Sequence, residues 1–222
     1  MDEIEKNFTL LITENDDNSV VVNVTHDDYA DVKIIKDEVQ RLIGISNDLS
    51  IKQVTLKGLV LHNRVTLFDR FFGYAFDNWK TDEIKSIKLV KDDEYFDADD
   101  EDAGEDLDNG ILSGINSALL KGTALRTNVF VQNSLDKGYY FSQANVRLAH
   151  KTDSIKISID IIFRGDDRLL EVNVSGSYET EDGRDFKRTL PVNEQREYLR
   201  YFNDIISEIY KQLLIEQATN TK

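Results

Sequence analysis

The alternation of apolar and polar residues in the second half of the chain constrains the fold most. In SIKISIDIIF, residues 154–163, every second side chain from Ile155 to Phe163 is apolar, and the side chains between them include Lys156 and Asp160. A strand with this period buries one face and leaves the other in water. The pattern therefore predicts an antiparallel sheet with one apolar and one polar face.

Four further runs with strand composition surround this one, and turn-rich pieces such as RGDDR and EDGR separate several of them. They span residues 126–133, 138–150, 168–180 and 184–190. Short, turn-rich connections favour pairing between consecutive strands, so we expect a meander. From Asn193 onward, about 25 residues follow an apolar period of 3.6, which predicts a long amphipathic helix lying across the apolar face of the sheet.

The first 91 residues mix both periods. Their predicted order is ββαβαβ, with strands at 8–14, 19–25, 51–61 and 84–90 and helices at 28–43 and 66–79. Five of the six aromatic residues between Phe68 and Trp79 fall on one helical face, which favours a place in the core. A short helix is predicted at 109–122. The fold class predicted for the whole chain is α+β.

One acidic run carries most of the net charge of −15. Eleven acids and no base lie between Asp92 and Asp108, and the rest of the chain has a net charge of only −4. This run is also the clearest boundary. We expect an N-terminal α+β portion at 1–91, an acidic loop or linker at 92–108 and the meander with its helix at 109–222; the same pattern is compatible with a single compact domain.

Three functions can be weighed for the acidic run. The spacing of its carboxylates does not match an EF-hand calcium loop. A DNA mimic needs an ordered array of charges, whereas closely spaced like charges repel one another and stay solvated. Tyr95 and Phe96 lie within the run and could dock on a basic partner surface. The predicted partner-binding residues are Asp92, Asp93, Glu94, Tyr95, Phe96, Asp97, Asp99, Asp100, Glu101 and Asp102.

Composition excludes several chemistries. The chain has no cysteine, which rules out disulfides, thiolate catalysis and cysteine-ligated metals. Its three histidines are not at metal-ligating spacings, and it has no nucleophile-elbow or phosphate-loop motif, so we expect no metal site and no cofactor. The negative charge argues against direct binding to nucleic acid or to an anionic membrane. With no signal-like start and no apolar run approaching ~18 residues, a cytoplasmic location is expected.

Metal-dependent phosphodiester cleavage is the enzymatic alternative. It needs acids to hold a divalent ion and a lysine near the attacking water. One candidate set is Asp160, Glu171 and Lys156, which could share the polar face of the sheet. The other is Glu83 and Lys85, with Asp69 or Asp77 upstream.

The first functional hypothesis is an acidic, soluble binding protein of the inhibitor type, acting through protein–protein interaction. Its partner would present a basic surface, as nucleic-acid-binding proteins do. The alternatives are the nuclease-like hydrolase and a small-ligand-binding module with a cavity between the meander and the C-terminal helix.

Overall fold

A computed structural model describes residues 9–14, 20–25, 29–43, 53–92, 115–164 and 169–220. The chain divides into two compact units, residues 1–53 and residues 54–222. The larger unit carries the main sheet.

The smaller unit contains a β-hairpin and a helix. Strands β1 (Thr9–Glu14) and β2 (Val20–Thr25) pair antiparallel. Valine and threonine dominate β2, and such β-branched side chains pack well on a pleated surface. Helix α1 (Tyr29–Ile43) follows, with Ile35 buried. The hairpin and the helix predicted here are confirmed.

The larger unit contains a six-stranded antiparallel sheet. Its elements in chain order are α2 (Leu61–Phe72), β3 (Trp79–Lys91), β4 (Ser117–Lys121), α3 (Val129–Asp136), β5 (Tyr139–His150), β6 (Ile155–Arg164), β7 (Leu169–Glu181), β8 (Arg184–Lys187) and α4 (Val192–Asn220). Single-turn 3-10 helices at Leu56–Gly58 and Leu125–Thr127 precede α2 and α3. The strand order across the sheet is β4-β3-β5-β6-β7-β8.

Strands β5 to β8 form the predicted meander. Asn145 of β5 lies opposite Asp160 of β6, which lies opposite Asn173 of β7. Register shifts within β3 and between Ser158 and Ile159 are β-bulges. Because bulges bend strands and increase their twist, the sheet is curled.

Helices α2 and α4 cover the apolar face of the sheet. The Phe68 ring of α2 packs against Phe141 of β5 and Phe163 of β6, with centroids 5.7 and 5.9 Å apart. Phe202 of α4 packs against Phe76 at 5.7 Å. All five rings are at most 2% exposed. The core position of the aromatic cluster and the long helix across the meander are confirmed.

The predicted strand at 51–61 is wrong. Leu56–Gly58 instead form one turn of 3-10 helix. The turn is closed by the Thr55 hydroxyl, which accepts a hydrogen bond from Gly58 N at 3.3 Å. Leu59 follows at 1% exposure, so the turn buries its apolar residues without a strand.

Two elements after the acidic run also differ from expectation. In the predicted helix at 109–122, the described part holds β4, where Leu120 lies opposite Ile87 of β3. The predicted strand at 126–133 is mostly helix α3. Asn128 caps this helix, because its side-chain oxygen accepts a hydrogen bond from Phe130 N at 2.9 Å.

The helix predicted at 66–79 occupies 61–72, and the strand predicted at 84–90 begins earlier, at Trp79. The observed order up to β3 is therefore ββααβ, within the α+β class that the sequence predicts. In the part of the chain that the structure describes, no helix combines the length and the hydropathy needed to cross a membrane.

Candidate functional site

The acidic run begins at a buried ion pair. Arg64 Nη1 of α2 lies 2.9 Å from Asp92 Oδ2, and the two side chains are only 12% and 10% exposed. The guanidinium is fixed further by its Nε, which donates to the carbonyl oxygens of Leu56 and Leu59 at 3.0 and 2.8 Å. It also lies over the Tyr140 ring, 5.0 Å from the centroid. Asp92 is thus an anchor whose carboxylate is bound within the fold.

The described residues on either side of the segment 93–114 are held close together. Lys91 N donates to Asn116 O at 2.9 Å, and Asp92 N donates to Gly138 O at 3.0 Å. The Tyr139 hydroxyl donates to Ile115 O. Burial raises the pKa of Tyr139, which keeps this hydroxyl protonated as a donor. The chain therefore leaves the end of β3 and returns at the start of β4, its neighbour in the sheet.

The other predicted partner-binding residues lie outside the described part of the chain. They are Asp93, Glu94, Tyr95, Phe96, Asp97, Asp99, Asp100, Glu101 and Asp102. Their role in binding stays a prediction. The predicted division of the chain at 92–108 also stays a prediction, although β3 before the run and β4 after it pair with each other.

Lys156, the first of the catalytic candidates, lies in an ion-pair network on the polar face of the sheet. Its Nζ is 3.4 Å from Asp82 Oδ2 and 3.3 Å from Asp185 Oδ1. Arg147 Nη1 also contacts Asp185, at 3.1 Å. The pKa of Asp185 is lowered, mainly by the hydrogen bond from the Thr180 hydroxyl and then by Lys156. The ammonium of Lys156 thus bridges two carboxylates, and neither is Asp160 or Glu171.

Asp160 and Glu171 share the polar face but have separate partners. Asp160 Oδ1 accepts a hydrogen bond from Asn145 Nδ2 at 2.6 Å. Glu171 Oε1 accepts one from Asn173 Nδ2 at 2.5 Å, and its Oε2 lies 2.9 Å from Arg164 Nε, as an ion pair without hydrogen-bond alignment. Asp160 is therefore hydrogen-bonded to an amide side chain of the neighbouring strand β5, and Glu171 to an amide side chain of its own strand, β7.

The second catalytic set is also dispersed. Glu83 lies opposite Arg147 in the pairing of β3 with β5. Lys85 Nζ lies over the Tyr178 ring, 5.6 Å from its centroid, on the polar face. Asp69 belongs to α2, which covers the apolar face, and pairs with Arg126 at 3.2 Å.

The other upstream candidate, Asp77, lies in the connection between α2 and β3, where its backbone N donates to the Tyr201 hydroxyl at 3.3 Å. Over the described ranges, no three acidic or histidine side chains come close enough together to hold a metal ion. The catalytic role of both candidate sets stays a prediction.

No pattern in the sequence points to Arg64. It occurs within LHNRVTLFDRFF, where basic residues at this spacing are common on the exposed side of a helix. Its partner Asp92 is one acid among eleven in the run. The pair forms only because α2 packs beside the end of β3, a contact between segments 28 residues apart.

Comparison of the chain with known protein families, characterised proteins and solved structures found no match. The functional argument therefore depends on the geometry of this chain alone.

Proposed function

We propose that this protein acts in the cytoplasm by binding a partner protein that presents a basic surface, as an inhibitor or sequestering protein does. The acidic run between β3 and β4 supplies the charge. The observation that supports the proposal is that the chain is fixed in the fold where the run begins and again beyond it: Asp92 by its pair with Arg64 and its N–H bond to Gly138 O, and Asn116 by the hydrogen bond that its carbonyl oxygen accepts from Lys91 N.

Anchoring favours binding for a physical reason. A charged segment whose ends are fixed on a folded sheet loses less conformational freedom on binding than a free tail does. The sequence between Asp93 and Asp108 carries ten acids and no base. Such a concentration of charge speeds encounter with a basic surface and discriminates against acidic partners.

The test compares two variants with the same change in net charge. In the first, four acids of the run are replaced by their amides: Asp99→Asn, Asp100→Asn, Glu101→Gln and Asp102→Asn. In the second, four exposed acids elsewhere are replaced by their amides: Glu179→Gln, Glu181→Gln, Asp182→Asn and Glu208→Gln. The probe is a fluorescent lysine-rich peptide, and its affinity is measured by anisotropy over a range of salt concentrations. Asp92 stays unchanged, because it belongs to the buried pair.

The first variant should bind the peptide about ten-fold more weakly, since exposed charge pairs contribute about 0.2–1 kcal/mol each. Its affinity should also depend less steeply on salt. The second variant should bind like the unmodified protein. If both variants bound the peptide with equal affinity, the acidic run would not be the binding element.

A further inference from the structure

Strand β4 lies at one edge of the six-stranded sheet. Among the described residues it pairs only with β3. Its side chains alternate between exposed and half-buried, and Leu119, at the centre of the exposed row, is 54% exposed. An edge strand presents a row of backbone N–H and C=O groups with which a further strand can pair. The outer edge of β4 is therefore a surface for strand addition with an apolar side chain at its centre.

The hydrogen bonds to β3 show which backbone groups of β4 point outward. Gly122 N donates to Lys85 O at 3.2 Å, and Asn116 O accepts from Lys91 N at 2.9 Å. In an antiparallel pair, every second residue exchanges hydrogen bonds with the neighbouring strand, and the residues between them turn their N–H and C=O groups away from it. The groups at the outer edge therefore belong to every second residue of β4: Ser117, Leu119 and Lys121.

Strand β4 is complementary to a second copy of itself. Antiparallel pairing about a two-fold axis at Leu119 uses all five residues of the strand. It places Leu119 opposite its own copy and Ser117 opposite Lys121 of the second copy. All three residues turn their backbone groups outward, so each facing pair can exchange hydrogen bonds. No like charges oppose one another, and the two Leu119 side chains remove each other's exposed surface from water.

The other edge of the sheet lacks this complementarity. Strand β8 is four residues long and presents Phe186, which is 52% exposed. Antiparallel pairing of β8 with its own copy over its full length would place Arg184 opposite Lys187, and like charges in this position are destabilising. The bond from Arg188 N to Ser177 O shows by the same alternation that Arg184 bonds to β7. It would therefore face an outward-pointing residue without outward-pointing groups of its own.

We infer that β4 pairs antiparallel with β4 of a second copy of this chain, so that two six-stranded sheets join into one continuous sheet about a two-fold axis at Leu119. The inference does not depend on the proposed function. Because a five-residue edge buries little surface, the dimer belongs to the weak, transient class. Each copy carries a net charge of −15, and the resulting repulsion is screened at high salt.

The first test measures self-association by sedimentation equilibrium over a wide range of protein concentrations at high salt. Leu119→Lys removes the apolar contact and places two positive charges opposite each other at the two-fold axis. The matched control is Phe186→Lys, which makes the same change of charge at an equally exposed apolar residue on the opposite edge. Unfolding curves check that both variants are folded.

The unmodified protein should form dimers as its concentration rises. Leu119→Lys should weaken this dimerisation about ten-fold or more, because a leucine contact is replaced by like charges. Phe186→Lys should leave it unchanged. A protein that stays monomeric at every concentration would overturn the inference, and so would equal weakening by the two variants.

A second test reads the register and does not depend on Leu119→Lys folding. The chain has no cysteine, so a single introduced cysteine can form a disulfide only between two copies. Facing residues of a hydrogen-bonded pair have Cα atoms about 5.5 Å apart, within the range of about 4.4–6.8 Å that a disulfide spans. Leu119→Cys should therefore cross-link under mild oxidation far faster than Phe186→Cys. Equal rates for the two variants, or no dimer of Leu119→Cys, would contradict pairing through β4.

Discussion

The Arg64 side chain forms four contacts that hold the start of the acidic run and the turn before α2: with Asp92, with the carbonyl oxygens of Leu56 and Leu59, and with the Tyr140 ring. Replacing it by methionine keeps much of its apolar volume but removes the guanidinium that pairs with the buried Asp92 carboxylate. Breaking a buried ion pair on one side costs about 3–5 kcal/mol. We expect Arg64→Met to lower the free energy of unfolding by about that amount, measured by urea denaturation.

Arg70, on the same helix, offers a matched control. It pairs with Glu216 at 2.7 Å, but the two side chains are 36% and 48% exposed. Pairs exposed to this degree contribute about 0.2–1 kcal/mol. Arg70→Met should therefore change stability far less than Arg64→Met. Similar losses for the two variants would contradict the assignment of Arg64 as the anchor.

The lowered pKa of Asp185 predicts that the stability of the protein depends on pH. Its pKa is lowered in the folded protein by Thr180, Lys156 and Arg147. A carboxyl group whose folded pKa is lowered stabilises the protein above its ordinary pKa, 3.8 here, and this contribution is lost as the pH falls through the lowered value. The difference in unfolding free energy between the unmodified protein and Asp185→Asn should therefore shrink below about pH 4.

Asp204 should show the opposite dependence of stability on pH. Burial raises its pKa in the folded protein, against the effect of Arg200. Its ionisation therefore opposes folding as the pH rises, and Asp204→Asn should gain stability relative to the unmodified protein between low and neutral pH. Urea denaturation curves recorded across this range test both variants. A difference for Asp185→Asn that is constant with pH would contradict the network on the polar face.

At the scale of elements, the turn before α2 depends on its contact with α4. A Cβ atom on Gly58 would overlap the Tyr210 hydroxyl oxygen, whereas the next ring atom, Cζ, would lie at an ordinary 3.6 Å. Gly58→Ala should therefore cost about 1–3 kcal/mol through overpacking. Tyr210→Phe should cost about 1 kcal/mol, because the hydroxyl accepts a hydrogen bond from Thr55 N.

The double variant Gly58→Ala, Tyr210→Phe tests whether the loss caused by Gly58→Ala arises from the contact with the Tyr210 hydroxyl. With phenylalanine at 210 the added methyl group has room, so the double variant should lose less than the sum of the single losses. A double-mutant cycle from chemical denaturation measures this coupling. Additive losses would show that the turn does not pack on Tyr210 in this way.

Long, unbroken periods predict their elements correctly. Strand β6 alternates over its whole length, and α4 keeps its helical stripe for several turns. A helix is wrongly predicted at 109–122, where the described part holds β4, and strands are wrongly predicted in the short runs 51–61 and 126–133. There the local hydrogen bonds of Thr55 and Asn128 close a turn or cap a helix, and a short run has too few residues for periodicity to distinguish these outcomes.

The candidate site could be predicted from the sequence only in part. The acidic run is visible as composition, but its position between two paired strands is not, because the sequence predicts a helix at 109–122 where the structure has β4. The Arg64–Asp92 pair depends instead on which surface of α2 faces the end of β3. Such contacts between distant segments leave no local pattern in the residues that make them.

At the scale of the whole molecule, the charge excess and the hydrophobic core occupy different parts of the sequence. The described members of the core cluster lie on both sides of the acidic run, from Leu56 to Val90 and from Leu125 to Leu213, whereas the residues between Asp92 and Asp108 carry −11 of the net charge of −15. A long connection between β3 and β4 adds little to the cost of folding, because loop-closure entropy grows only slowly with length. The length of this connection therefore costs the fold little stability.

Every member of that core cluster lies in the unit 54–222. A chain consisting of 54–222 should therefore fold by itself and unfold in one cooperative transition. Its calorimetric enthalpy should be about 120 kcal/mol near 60 °C, from about 0.7 kcal/mol per residue. A chain that starts at Tyr74 lacks α2, and with it Phe68 and Phe71 of the core, so it should show no such transition. If 54–222 unfolded without cooperativity, the sheet and its helices would not form a self-sufficient folding unit.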